Sequence, residues 1–463
     1  MFREKFPPEH LPRLYAEQAS VITIREVFDY IRRFKNHLFV LKIEDDLIGH
    51  ALFPSLMKDI IRLHDAGIRM IIIPGTRAAI ERNLKSAGIF TELVNGVRVT
   101  PGEAMPHIKL AAMEVTETLI SHMAAGNLNG IMGNWIKARS LGVCDGVDFQ
   151  YTGEVEKIRS EIILKLLDQD FIPVIHPIGL NSVGDAYNLS SNMTASAVCM
   201  AMDVSKLFFI GANKGIGYTG LSIPKGAQLH ADGFFSNLDP GHVQELIRLN
   251  RPVISPQEME YLEIALAVTS PNNRVKRVHI ISGREEGSLI KEIFSSIGGG
   301  TMIYSNRHAH IRKATLDDLA ELMQLLEGYI KTGNLVMRTR EEIVNYIDSY
   351  CIYEIDKAVY GCGALFEITS QESDKVSKYG EIGAIAVNPS YKSRGVGQGI
   401  MEYLIRLAKK RGLTRLFLLT TRASDWFYSF GFVNACPGDL PGQRRESYNR
   451  HRNSRVMMLN LCE

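Results

Sequence analysis

The chain has 463 residues, 45% of them hydrophobic and 22% charged, which is enough apolar material for two or three cores. Its 53 basic residues against 51 acidic ones leave a formal charge of +2, too little field to gather nucleic acid or an anionic membrane. Six cysteines without a Cys-x-x-Cys pair and thirteen histidines without a His-x-x-x-His pattern suggest no metal site and no disulfide framework, as suits a reducing cytoplasm.

The first ten residues, MFREKFPPEH, lack the apolar core of a signal peptide, and runs such as Met70–Ile73 are too short to span a membrane. Between Leu14 and Lys35 an amphipathic stretch carries Val27, Phe28, Ile31 and Phe34 at helical spacing, a stripe that packs on its own domain or on a neighbouring subunit. Six short apolar segments follow: Leu38–Ile43, Ile68–Ile73, Asn129–Met132, Ile172–Ile175, Leu207–Ile210 and Arg277–Ile281. They alternate with longer amphipathic stretches, which predicts an α/β domain with a mostly parallel sheet between two layers of helices.

The polar segment Tyr304–His310 is the best linker, dividing the chain into residues 1–305 and 306–463. Beyond it come a strand at Ile311–Ala314, a helix from about Leu316 to Thr332 and a helix through Arg340–Ile343. Strand-like runs at Cys351–Glu354, Ala358–Glu367 and Glu381–Val387 then follow at hairpin spacing, which predicts an α+β domain with a mixed sheet. The last run leads through Asn388-Pro389 into Tyr391-Lys-Ser-Arg-Gly-Val-Gly397, a helix reaching Lys410 and a strand at Leu416–Thr420. Gly395 and Gly397 leave backbone N–H groups unobstructed, the helix starting near Val396 presents its positive end, and Lys392 and Arg394 add charge. That is a cradle for a pyrophosphate, although glycines alone do not separate it from an ordinary strand-turn-helix connection.

The order strand, glycine turn, helix, strand and Trp426-Phe-Tyr-Ser-Phe-Gly-Phe432 resembles the acetyl-CoA-binding half of the GCN5-related N-acetyltransferases. That family's turn usually reads Gln/Arg-x-x-Gly-x-Gly/Ala; Lys392-Ser-Arg-Gly395-Val-Gly397 matches it with Lys in first place, and Arg394-x-x-Gly397-x-Gly399 fits two residues late. The resemblance implies that Lys392, Arg394, Gly395, Val396 and Gly397 hold the cofactor, acetyl-CoA. It also implies that backbone N–H groups at Ile385, Ala386 and Val387 meet the thioester oxygen where the strand splays from its neighbour. Glu381 stands where the family has its proposed general base, and Thr420 and Tyr428 compete as proton donor to the leaving thiolate.

In the first half, Val40-Leu-Lys42, Gly96-Val-Arg98-Val-Thr100, Ile172–Gly179, Tyr187-Asn188-Leu-Ser190 and Lys206–Gly211 resemble the amino-acid kinase fold, acetylglutamate kinase in particular. The glycines that should grip nucleotide phosphates read Glu44-Asp45-Asp46 and Gly75-Thr76-Arg77, and the acidic triplet would repel a triphosphate. Asn188-Leu-Ser-Ser-Asn192 lacks the aspartate that orients the catalytic lysine, so this domain is expected to have lost phosphoryl transfer. Arg98 and Asn188 either keep an acylamino-acid pocket or only hold the fold.

A degenerate kinase-like domain ahead of an acetyltransferase domain is similar, over nearly the whole chain, to the N-acetylglutamate synthase family of the bacterial type. The resemblance implies acetyl transfer from acetyl-CoA to the α-amine of L-glutamate, the first step of arginine biosynthesis, with no metal, in a homo-oligomer that is hexameric in that family. The two carboxylates of glutamate call for guanidinium clamps, and Arg338, Arg452 with Ser454, and Arg444 or Arg445 match or suit that role. Arginine-sensitive relatives carry a His, a Glu thirteen residues on and a Gly six beyond. His279, Glu292 and Gly298 keep that register, with Tyr30 placed to close the site, which implies L-arginine as an effector. An acetyltransferase for another amine, and a sensor with a silent transferase half, are the competing readings; intact Glu381 and the glycine turn argue against silence.

Overall fold

The apolar runs of the first half become the parallel centre of a nine-stranded sheet in the computed structural model. It describes residues 27–28, 31–32, 34–270, 273, 275–294, 298–304, 311–355, 358–372, 375–389, 395–421 and 423–461. The chain divides into two units, Met1–Ser305 and Asn306–Glu463. In the first, the strands are β1 (Leu38–Ile43), β2 (Arg69–Pro74), β3 (Gly130–Met132), β4 (Ile172–Val174), β5 (Val204–Gly211), β6 (Gln228–Leu229), β7 (Phe235–Leu238), β8 (Arg277–Ser282) and β9 (Gly300–Tyr304). They lie in the order β6-β7-β9-β8-β5-β1-β2-β4-β3. Only β6–β7 and β8–β9 are antiparallel, as the βαβ alternation predicts for a mostly parallel sheet.

All of β1 is buried because both faces of the sheet are covered, which is why the sequence shows an unbroken apolar run instead of alternation. Val40, Ile71, Leu207 and Phe209 meet Val198 and Leu262 of the helices Ser191–Ala201 and Pro256–Val268. The alternate residues Phe39, Leu41, Ile72 and Phe208 meet Ile60 and Leu119 of the helices Phe53–Asp65 and Met105–Ala125 on the opposite face. The N-terminal stripe packs through Phe34, whose ring lies 5.6 Å from Phe39, while Phe28 is 66% exposed. No helix of the described residues is long and apolar enough to cross a membrane.

A second sheet of four short strands, Ala186–Asn188, Ile178–Leu180, Ile136–Ser140 and Gly153–Ile158, has no counterpart in the apolar-run reading. Its longest pair is half charged, and Lys137–Glu156 at 2.7 Å and Arg139–Glu154 at 2.6 Å bridge the two strands. Ile136, Ala138 and Ile158 bury one face of this pair while the cross-strand ion pairs line the other, so the strands lack the continuous apolar run of the main sheet.

The second unit has β10 (Ile311–Lys313), β11 (Tyr350–Ile355), β12 (Ala358–Glu372), β13 (Lys375–Val387), β14 (Arg415–Thr420), β15 (Val433–Ala435) and β16 (Arg455–Asn460), ordered β10-β11-β12-β13-β14-β16-β15. Every pair is antiparallel except β13–β14. The helix Val396–Lys410 covers one face through Ile400, Met401 and Leu404. The helix Leu319–Lys331 covers the other through Leu322 and Leu326.

One irregularity interrupts this sheet. Ala384 has φ +53°, and the β12–β13 register slips there, so that two residues of β13 oppose one of β12. A left-handed residue bearing a Cβ costs about 1–2 kcal/mol, and the bulge turns β13 away from β14. Pairing between those strands stops at Ile382–Leu418, although they run on to Val387 and Thr420.

Candidate active site

Glu381 lies on β13 directly opposite Phe366 of β12 and Phe417 of β14, so its carboxylate stands in a row of rings. Gly383, two residues along and on the same face, is opposite Ala364, which is opposite Tyr350. Arg338, from the loop before the helix Arg340–Asn345, reaches over this patch. Its guanidinium carbon lies 4.7 Å from the centre of the Phe366 ring, and Nη1 donates to Tyr350 Oη at 3.1 Å. A Cβ at position 383 would lie in ordinary contact with Arg338 Nη2, at 3.4 Å, which places the guanidinium directly above this point of the strand. Nε and Nη2 of Arg338 have no partner among the described residues and remain available to a carboxylate.

Arg444, on the short helix Gly442–Glu446, grips Glu381 with both arms: Nε to Oε2 at 2.8 Å and Nη2 to Oε1 at 3.0 Å. Its Nη1 reaches Ser447 Oγ at 3.2 Å. Of the predicted clamps, then, Arg338 and Arg444 gather around Glu381. Arg445 instead donates through Nε and Nη2 to its neighbour's carbonyl, Leu440 O, each at 3.2 Å. Arg452 Nη2 donates to Gly333 O at 3.1 Å and Asn334 O at 3.0 Å, fastening the loop that carries Arg338. Ser454 is buried and its carbonyl accepts from Tyr448 Oη.

Asn388 N–H points to β12, donating to Tyr360 O at 2.7 Å, so the N–H of Val387 faces the open side where β14 has left. It does not stand free there. Val387 N–H donates to Tyr329 Oη at 3.2 Å, and Val387 O accepts from the same hydroxyl at 2.7 Å. Ile385, two residues back, turns to the same open side, whereas Ala386 faces Cys362 of β12. Tyr329 was not singled out from the sequence, and nothing in its local pattern marks one tyrosine of an amphipathic helix.

Gly395 has φ +71° at the N-cap of Val396–Lys410, a position that a side chain would strain. Among the described residues no side chain caps this fifteen-residue helix, and its N-cap glycine has none to offer, a start whose N–H groups suit an anion. Gly397 has a further role: a Cβ there would lie 3.3 Å from Trp426, so the glycine also lets that ring pack on the helix start. Lys392 and Arg394 lie outside the described residues. Thr420 Oγ1 accepts from Ala423 N at 3.1 Å at the foot of the helix Ser424–Tyr428, and Tyr428 is 41% exposed.

The acidic triplet of the first unit departs from expectation. Lys42 is not left without a carboxylate: Glu44 pairs with it and also accepts from Tyr261 Oη at 2.7 Å and Gln257 Nε2 at 2.9 Å. Glu44 fills the notch over Gly75, where a Cβ would lie 2.6 Å from its Oε2. Asp45 accepts from Ala79 N at 2.7 Å in the first turn of the helix Arg77–Ser86, and Asp46 pairs with Arg284 at 2.7 Å. The three carboxylates are therefore separately engaged and do not form a bare cluster. Arg98 is bound to Glu81 at 2.5 Å, and Asn188 Nδ2 donates to Thr100 Oγ1 at 3.1 Å.

His279 on β8 and Glu292 on the helix Ser288–Phe294 form a buried pair, Nδ1 to Oε1 at 2.7 Å, and the imidazole stacks on Phe208 at 4.6 Å. Gly299 N donates to Glu292 Oε2 at 2.7 Å, and a Cβ at Gly298 would meet that oxygen at 3.1 Å. Tyr30 lies outside the described residues. Burial holds the His279 imidazole below its ordinary range. Burial alone would raise the Glu292 carboxyl, but the His279 and Gly299 N–H groups outweigh it and hold it low. Both groups thus bind protons less readily folded than unfolded. The stability they contribute is complete above about pH 6.5, and it falls as pH drops, through the histidine first and the carboxyl below about pH 4.3. Thermal unfolding midpoints should therefore decline from pH 7.5 to pH 5.5, and less steeply in His279→Gln; parallel slopes would remove this pair from the cause.

Residues 37–229 match the amino acid kinase family, and residues 320–432 match the acetyltransferase (GNAT) family. The amino-acid acetyltransferase of Ralstonia nicotianae is 32% identical over 460 residues, 97% of each chain. That of Pseudomonas putida is 31% identical over 444 residues, 94% of this chain and 97% of the relative. Among solved structures, N-acetylglutamate synthase from Neisseria gonorrhoeae complexed with coenzyme A and L-arginine superposes with a TM-score of 0.77 at 27% identity, covering 96% of this chain and 99% of that one. The same synthase complexed with coenzyme A and N-acetyl-glutamate gives 0.59 at 28% identity and the same coverage.

Proposed function

Because the chain belongs to the amino-acid acetyltransferases, an amino-acid-kinase-like domain joined to a GNAT domain, we propose that it moves the acetyl group of acetyl-CoA to the α-amine of L-glutamate under control of L-arginine. The observation that carries this reading is the grouping of Glu381, Arg338 and Arg444 on the face of β13 beside the place where β13 leaves β14. A carboxylate takes the proton of the α-ammonium, directly or through a water, while guanidiniums hold a substrate with two carboxylates.

The start of Val396–Lys410, with glycine at its N-cap, receives the pyrophosphate of coenzyme A. The thioester then lies along the open side of β13. Attack of the amine forms the N–C bond, the oxyanion is met by backbone N–H at Ile385 and Val387, and the C–S bond breaks. Val387 N–H is held by Tyr329 in this structure, so the thioester oxygen takes it over from that hydroxyl. The thiolate receives a proton from Thr420 or Tyr428, and that hydroxyl is restored, directly or through a water, by the second proton that the nitrogen gives up as the amide forms. The solved synthase structures with coenzyme A, and with N-acetyl-glutamate, support the same ligands here.

Pure protein supplied with acetyl-CoA and a panel of amino acids should release CoA thiol with glutamate and form N-acetylglutamate. Release with aspartate or another amine in its place would reassign the substrate, and no release from folded protein defeats the reading. ATP with N-acetylglutamate should yield no ADP, since Glu44 occupies the notch over Gly75.

The His279–Glu292 pair is the proposed arginine site. Each Glu292 oxygen already accepts one N–H, and its remaining lone pairs can hold the guanidinium or ammonium of the ligand. Regulation requires arginine to bind two arrangements of a homo-oligomer unequally, so arginine should change both the transfer rate and the sedimentation of the cytoplasmic assembly. Wild type that neither binds arginine nor changes rate would refute regulation, and Glu292→Ala responding like wild type would relocate the site.

A further inference from the structure

We propose that Arg444 is a latch on the proton acceptor: it holds Glu381 while the amino-acid site is empty, and a carboxylate of the incoming substrate draws it away. This rests on the reading of Glu381 as the base. The two guanidiniums at the site are held in opposite ways. Arg338 is stacked on Phe366 and tied to Tyr350, with N–H donors to spare. Arg444 is stacked on no ring among the described residues; its three nitrogens are spent on Glu381 and Ser447, from a five-residue helix.

Glu381 and Gly383 are two residues apart on one strand, so the carboxylate gripped by Arg444 and the spare donors of Arg338 are separated by roughly 7 Å along it. A dicarboxylate bound to Arg338 through one end brings its other end into competition with Glu381 for the same bidentate guanidinium. The exchange replaces one charge-assisted pair by another, so it needs little net energy, yet it frees both oxygens of Glu381.

The latch links base activity to occupancy. In the productive cycle Glu381 takes one proton from the substrate ammonium, the N–C bond forms, the C–S bond breaks, and the second nitrogen proton ends on the CoA thiolate through the hydroxyl beside it. Without an amino acid, an unlatched Glu381 could take a proton from water instead. An O–C bond would then form and the C–S bond break, giving acetate and CoA thiol. Arg444 suppresses that loss.

The test compares wild type, Arg444→Gln and the double variant Arg444→Gln/Glu381→Gln. CoA thiol is followed with and without glutamate, and acetate is followed by proton NMR. Arg444→Gln should raise glutamate-independent release of acetate and CoA about tenfold or more and raise the KM for glutamate at least tenfold; the double variant should lose the uncoupled hydrolysis. A raised KM with hydrolysis no faster than wild type would make Arg444 a clamp alone, and faster hydrolysis with unchanged KM would mean that substrate does not draw it off; either result overturns the latch. If Arg444→Gln does not fold, Arg444→Lys decides by the same two readouts, since an ammonium keeps the charge without the two-armed grip. Wild type that fails to acetylate glutamate defeats the substrate reading, and the latch is then judged with whichever amino acid of the panel supports transfer.

Discussion

Glu381→Gln is expected to lower turnover with glutamate by about two orders of magnitude or more, the usual loss when a positioned general base is removed. The amide keeps the volume between Phe366 and Phe417, so packing of the face should survive. The substitution also dissolves the ion pair with Arg444 and leaves that guanidinium free for substrate. The KM for glutamate should therefore not rise, and the whole effect should fall on kcat, measured by CoA thiol release at neutral pH. An unchanged kcat would reduce Glu381 to a strand residue that anchors the helix Gly442–Glu446.

Arg338→Ala should act on the other kinetic constant. Removing a charged donor from a carboxylate costs about 1.5–3 kcal/mol, so the KM for glutamate should rise roughly ten- to a hundredfold, with the KM for acetyl-CoA little changed. Arg338→Lys should recover only part, because an ammonium has no plane to stack on Phe366, and its donors all leave one nitrogen instead of spreading between Tyr350 and a substrate carboxylate. A glutamate KM equal to wild type in Arg338→Ala would show that the ring stack is the whole purpose of this residue.

The neighbourhood of Arg338 is built by distant parts of the chain. Arg452, matched to a substrate role on resemblance, ties Gly333 and Asn334 in this structure and so steadies the loop from which Arg338 projects. Arg445 likewise braces the Leu440 carbonyl. A cluster of arginines in sequence does not say which of them turn inward, since neighbouring residues on a short helix point in different directions.

The strands were legible because burial on both faces, or on one, writes itself into the order of apolar residues. Leu38–Ile43 is read to the residue, and the glycine turn before Val396 stands out because Gly395 takes φ +71°, which only glycine adopts without strain. The kinase-like and acetyltransferase halves were likewise recognisable, because motif order survives where chemistry and close packing restrict the choice of residue. The charged four-strand sheet was not legible, since Lys137–Glu156 and Arg139–Glu154 are held by pairing across strands that no local pattern predicts. Partner choice was decided by the tertiary structure alone. It gave Lys42 the carboxylate of Glu44, Val387 the hydroxyl of Tyr329, and Glu381 the guanidinium of Arg444, 63 residues further along the chain. Such pairings depend on which side chains the fold brings within about 3 Å, a quantity that periodicity and composition do not contain.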